Sequence, residues 1–159
     1  MRMIGWAALA AASVTGVAAQ AQDDLDATIV RTDYGIPHVT ADSWEGIGYG
    51  VAYAYAQDNF CLLAEEFVTI RGERSMYFEP EGKVLHGSQE VDNLSSDVFM
   101  RSVIDLERLR AGAGAQGREA NLLAAGYVAG YNRFLRDAGT EGIPAECRGK
   151  PWGKPITND

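Results

Sequence analysis

The sequence predicts an α+β fold that is mostly helical, with one short β-hairpin near the N-terminus. Two runs rich in β-branched residues flank the turn residues Asp33-Tyr34-Gly35, which indicates the hairpin. Apolar residues recur at helical spacing between residues 97 and 137. The 159 residues are 47% hydrophobic and 23% charged, which is ordinary for one globular domain and argues against a disordered chain.

The opening residues have the three-part layout of a secretory signal peptide. Met1-Arg2-Met3 is a short positive start, residues 4–19 are apolar and uncharged, and Ala19-Gln20-Ala21 is a small-x-small cleavage site. An uncleaved anchor would need a longer apolar core, and a mitochondrial presequence would need more arginine. We therefore expect residues 1–21 to be removed and residues 22–159 to be periplasmic or secreted.

The charge balance excludes two classes of partner. The net charge is −8, whereas phosphate binding needs a basic face. An acidic chain is also not attracted to an anionic membrane surface. We expect neither a nucleic acid nor, after signal cleavage, a membrane as a partner.

Export gives the two cysteines a specific meaning. In an oxidising compartment Cys61 and Cys147 are the only possible intrachain pair, and a bridge between them would close a long loop. Two buried free thiols are the alternative. A zinc site is not expected, because there is no Cys-x-x-Cys pair and both histidines lie far along the chain from the cysteines.

The hairpin over residues 28–40 is the first expected element, and Pro37 restricts its second strand to a sheet edge or a strand start. Asp42 is the predicted N-cap of a helix, with Glu45 three residues later. Residues 46–56 then alternate small and large side chains, which is typical of a strand, and their glycines disfavour a helix. The pattern alone leaves helix and strand open, since four larger side chains also fall at helical spacing: Trp44, Ile47, Val51 and Tyr55.

The second half of the chain is predicted to be a loop followed by two helices. Residues 71–96 are polar and are expected to form a long irregular connection. Asp97 is the predicted cap of a helix that runs to Leu109 and is broken at Gly112-Ala113-Gly114. A second helix is expected from Gln116 to Asp137, with Gly139 as its stop.

The residue pattern offers no catalytic motif. Gly-x-Ser-x-Gly, a phosphate-binding glycine loop and His-Glu-x-x-His are all absent from the sequence. His38 is expected to be a structural hydrogen-bonding residue, and His86 a solvated one. Of the neighbours Glu65 and Glu66, one should be solvated and the other paired with an arginine. Tyr49, Tyr53 and Tyr55 could line a ligand surface, but we expect them to be core or partner-facing. Asp23, Asp24 and Asp26 are expected to be a solvated tail rather than a metal site. We predict no catalytic and no metal-binding residue in this chain, and no substrate-binding residue can be named.

Several strings resemble one enzyme family. IVRTDYGIPHV (residues 29–39) and GYGVAYAYAQD (48–58) are similar to the opening strands and following helix of the penicillin acylases. DNFCLLAEE (58–66), RGERS (71–75) and PAECRGKPW (144–152) resemble the branch that holds acyl-homoserine-lactone acylases and aculeacin A acylase. The resemblance covers most of residues 28–159 and implies that residues 43–72 are helical.

The resemblance has several implications for function. Penicillin acylases are N-terminal nucleophile hydrolases with an αββα fold. A secreted precursor is cut into an α chain, a linker and a β chain whose first residue, a serine, is the nucleophile. Residues 22–159 would be an incomplete α-chain region, inactive without the β chain and with apolar surface left exposed. Expected substrates are N-acyl homoserine lactones or other lipophilic acyl amides.

The resemblance implies no cofactor for the chemistry. Some members hold a structural calcium ion, and their calcium-ligating glutamate lies in a helix that follows the region matched here. The alternative reading of the chain is a non-enzymatic exported binding or scaffold domain that uses the tyrosine-rich segment.

Overall fold

The computed structural model describes residues 25–158, and it is an α+β fold dominated by helices. The predicted signal peptide (residues 1–21), Asp23 and Asp24 lie outside the described residues. In chain order the elements are β1 (Thr28–Arg31), β2 (Pro37–Thr40), α1 (Trp44–Ile70), α2 (Arg74–Tyr77), β3 (Lys83–His86), β4 (Gln89–Asp92), α3 (Asn93–Val103), α4 (Leu106–Ala115) and α5 (Arg118–Ala138).

The predicted N-terminal hairpin is confirmed. Strands β1 and β2 are antiparallel, with Ile29 opposite Val39, and Gly35 turns the chain at a φ of 80°. Arg31 attaches the hairpin to α1, because its guanidinium donates to Asp58 Oδ2 at 3.0 Å and to Gln57 Oε1 at 3.1 Å.

Helix α1 confirms the helix expected over residues 43–72, although its cap differs from the prediction. Ser43, not Asp42, is the N-cap: its Oγ accepts a hydrogen bond from the Gly46 N–H at 2.9 Å. Asn59 interrupts the helical geometry with a φ of −142° and kinks the helix.

The small–large alternation in α1 results from packing on two opposite faces. Successive even-numbered residues from 46 to 56 are buried. Two residues along a helix turn by about 200°, so these side chains alternate between opposite sides. Gly46 and Gly50 lie against the segments that flank and form the hairpin, whereas Gly48 lies against Leu123 of α5. Because α1 packs against the hairpin on one side and α5 on the other, small residues recur at every second position, as they would in a strand.

The core lies between α1, α5 and the segment after α5. Phe60 of α1 packs on Tyr131 and Phe134 of α5, with ring centroids 5.9 and 5.6 Å apart. Cys61 and Cys147 form the expected disulfide, with their Cα atoms 5.6 Å apart. The bond holds the C-terminal segment on α1 beside the aromatic cluster.

Residues 71–96 are more ordered than expected, since they contain α2 and the antiparallel pair β3–β4. The helix predicted from Asp97 to Leu109 is also wrong. Helix α3 starts earlier, capped by Asp92, whose Oδ1 accepts from the Ser95 N–H at 2.7 Å. The chain then breaks before Asp105, which caps α4.

The break expected at residues 112–114 does not occur. Helix α4 continues through both glycines to Ala115, and a Cβ at Gly112 or Gly114 would meet nothing within 4 Å. Helix α5 and its stop at Gly139 agree with the prediction. In residues 25–158 we find no helix with the length and hydropathy that a membrane span requires.

Candidate functional site

A large apolar groove lies on the described part of the chain. Its volume is about 790 Å³, and it lies between the end of α1, the α3–α4 segment and α5. Ile70, Leu106 and Leu109 line it while remaining 50, 55 and 57% exposed. Full burial of such a side chain contributes about 1.5–3 kcal/mol. The groove therefore favours binding of an apolar surface or ligand.

One end of the groove carries charged side chains. Arg101 Nε donates to the Gly72 carbonyl at 2.8 Å, and Arg71 lies beside it on the groove wall. Glu73 also lines the groove, and its Oε2 is buried without a hydrogen-bond partner among the described residues. An unpaired buried acceptor typically costs about 1–3 kcal/mol.

A buried polar network positions α2 between α1 and α3, next to the groove. Arg74 is 6% exposed, and its guanidinium donates to Asn93 at 2.7 Å and to Thr69 at 2.9 Å. Asp97 accepts the backbone N–H groups of Arg74 and Ser75, each at 2.7 Å. These bonds fix α3 relative to α1 and therefore set the position of one groove wall.

The sequence did not predict this network. Asp97 was assigned to cap its own helix, but its partners lie 22 and 23 residues earlier in the chain. Arg74 was recognised only within a family-like string. No local periodicity signals such a pairing, because the two groups meet only after α2 and α3 have packed.

The histidines and glutamates have separate roles in the structure. His86 is half-buried and its Nε2 lies 2.8 Å from Ser96 Oγ, so the prediction that its side chain is solvated is wrong. His38 is exposed on β2, and within residues 25–158 its ring has no hydrogen bond, contrary to the expected structural role. Glu65 pairs with Arg74 at 3.6 Å while Glu66 is exposed, as predicted.

The tyrosines of α1 mainly pack against α5, in agreement with the prediction. Tyr53 stacks edge-on against Phe134 and its hydroxyl donates to Asp137 at 3.2 Å. Burial, and secondarily that hydrogen bond, raises the pKa of Tyr53. Tyr49 lies against Gly130 of α5, and Tyr55 is 38% exposed. Asp26, the one described member of the acidic tail, is exposed.

None of these histidines, glutamates and α1 tyrosines lines the groove. Burial also raises the pKa of Tyr127, a groove residue, which keeps its phenol neutral. Across residues 25–158, no three His, Cys, Asp or Glu side chains group so that they could hold a metal ion. The absence of catalytic residues from this chain stays a prediction.

The helices and hairpins of this chain have the fold of a penicillin acylase, as a comparison with solved structures shows. The chain matches a thermostable penicillin G acylase from Alcaligenes faecalis with a TM-score of 0.69 and 26% identity, over 83% of this chain and 66% of that chain. Residues 26–153 match the family model of penicillin amidase. The chain belongs to the penicillin amidase family.

Curated relatives fall in the branch that the sequence strings suggested. The chain is 45% identical to an acyl-homoserine lactone acylase, PvdQ, of Pseudomonas putida KT2440, over 99% of this chain and 20% of the relative. It is 38% identical to the aculeacin-A acylase of Actinoplanes utahensis, over 82% of this chain and 17% of the relative. The chain thus spans about a fifth of the length of these relatives.

Proposed function

We propose that residues 22–159 are the front part of the α-chain region of an exported N-acyl amide hydrolase. The observation that carries this proposal is the 45% identity to an acyl-homoserine lactone acylase over nearly the whole chain. The signal-peptide pattern of residues 1–21 supports export to the periplasm or the medium. The expected substrates are N-acyl homoserine lactones or other lipophilic acyl amides, so quorum quenching and antibiotic conversion are the processes it would serve.

In this proposal the nucleophile is the N-terminal serine of a β chain cut from the same precursor. Its α-amino group has an ordinary pKa of about 7.7–8.0 and can accept the hydroxyl proton near neutral pH. The serine oxygen then attacks the amide carbonyl, and hydrogen-bond donors stabilise the oxyanion. The proton passes to the leaving amine, and water hydrolyses the acyl ester to release the carboxylic acid.

The role of this chain in the proposal is to support the β chain. Exposed apolar side chains outside the groove, such as Leu85 and Leu94, at 68 and 53% exposure, provide surface for that association. The chain alone would be inactive because the nucleophile lies elsewhere. No cofactor is required for the chemistry, and a structural calcium ion in the complete enzyme would use ligands from other segments.

The experiment is an activity assay on the full-length protein produced with its signal peptide. Purified protein is incubated with N-acyl homoserine lactones of increasing acyl length, and the released primary amine is quantified. We expect amine release from at least one of these substrates, and none after the β-chain N-terminal serine is replaced by alanine. A correctly folded protein that hydrolyses no acyl amide would favour the non-enzymatic binding or scaffold domain instead.

A further inference from the structure

The C-terminal segment leads directly into the apolar groove. Asn132 of α5 holds Ile156 by two hydrogen bonds: the Ile156 N–H donates to Oδ1 at 3.0 Å, and Nδ2 donates to the Ile156 carbonyl at 2.9 Å. Ile156 is 7% exposed, and Thr157 and Asn158 form part of the groove wall. The direction of the chain is therefore fixed at the groove.

The groove also indicates the chemistry of what fills it. Leu106 and Leu109 of α4 stand over half exposed across from α5. A fitting occupant therefore has an apolar face.

We infer that the occupant is the segment of the full-length polypeptide that directly follows Asp159. The curated relatives are far longer than this chain, which spans about a fifth of them. A segment that starts at the groove wall closes a very short loop when it folds into the groove, so its entropic cost is small. Segments from elsewhere in the protein, or a second copy, would close longer loops or lose translational freedom.

This assignment rests on the proposed function, in that both require the longer polypeptide. It adds a local claim, namely that α4 and α5 are held together by their own continuation rather than by the β chain. Amide hydrolysis by the full-length enzyme can therefore persist while the local claim fails, which separates the two.

The test is disulfide trapping in the full-length, catalytically assayed protein. Leu109→Cys is combined with single cysteines placed in turn at each of about 25 positions after Asp159. A disulfide needs Cα atoms within about 7 Å, so trapped pairs report contact directly. Leu106→Cys provides a second probe should Leu109→Cys fail to fold. Val98→Cys is the matched control, because Val98 is exposed on α3 and does not line the groove.

We expect Leu109→Cys to form intrachain disulfides with a subset of those positions, identified by mass spectrometry of non-reduced peptides, and Val98→Cys to form none with them. Absence of any such bond in an active enzyme would overturn the assignment. Bonds only between two copies, or equal trapping by Val98→Cys, would overturn it as well.

Discussion

Replacing Gly126 of α5 by alanine tests the close approach of α5 to α1. A Cβ at this position would overlap the carbonyl oxygen of Glu45 and lie 2.9 Å from the backbone nitrogen of Tyr49. Both obstacles are backbone atoms, so no side-chain rotation relieves them. Overpacking costs up to about 3 kcal/mol, and the better helix propensity of alanine returns about 1 kcal/mol. The net destabilisation is about 2 kcal/mol.

The same substitution at Gly112 has the opposite sign. Helix α4 is exposed there, and a Cβ would meet nothing within 4 Å, so only the propensity gain of about 1 kcal/mol remains. Gly112→Ala is therefore the matched control.

The assay is amide hydrogen exchange of the full-length protein, read on peptides from each helix. At about 1.4 kcal/mol per tenfold change, Gly126→Ala should speed exchange in residues 121–135 about 30-fold. Gly112→Ala should slow exchange in α4 about fivefold. Unchanged or slower exchange in α5 after Gly126→Ala would refute the close helix contact.

Three further predictions concern the Cys61–Cys147 disulfide, the buried guanidinium of Arg74 and the buried phenol of Tyr131. Mass spectrometry under non-reducing conditions should find Cys61 joined to Cys147. Reducing this disulfide, which spans 86 residues, should lower the free energy of unfolding by about 4–5 kcal/mol. Free thiols in exported protein would contradict the disulfide. Arg74→Ala removes two buried charge-assisted hydrogen bonds and should lower the opening free energy of α2 and α3, measured by hydrogen exchange, by about 3 kcal/mol. The control Arg110→Ala removes an exposed side chain and should lower it by less than about 0.5 kcal/mol. Equal effects of the two substitutions would contradict the buried network. Burial raises the pKa of Tyr131 above its ordinary value, so its contribution to stability is present below pH of about 10 and is lost as the pH rises. Tyr131→Phe should remove one late-ionising phenol from an alkaline absorbance titration, and an unchanged titration would contradict the burial.

Local signals predicted the hairpin, α5 and its glycine stop, since turn residues and a one-sided apolar stripe are visible within each segment. Helix α1 was ambiguous from pattern alone, because contacts on two opposite faces imposed a period of two on Gly46–Ala56. The resemblance to the penicillin acylases predicted a helix there, whereas the residue pattern left helix and strand open. The disulfide was foreseeable because only one pair of cysteines exists.

Other features depend on contacts between distant segments. Strands β3 and β4 have four residues each, too short to give a clear alternation in a polar stretch. Asp97 resembled a helix cap, but its carboxylate is used by the backbone of α2. The groove combines residues from α1, α3, α4, α5 and the C-terminal segment, so no single stretch of sequence indicates it.

The proposed function requires that a β chain with an N-terminal serine completes this chain. The most direct measurement is N-terminal sequencing and intact-mass analysis of the full-length protein after export. We expect two chains, one that begins near Gln22 and contains this sequence, and a larger one that begins with serine. A single uncut polypeptide, folded and without a new N-terminal serine, would contradict the account.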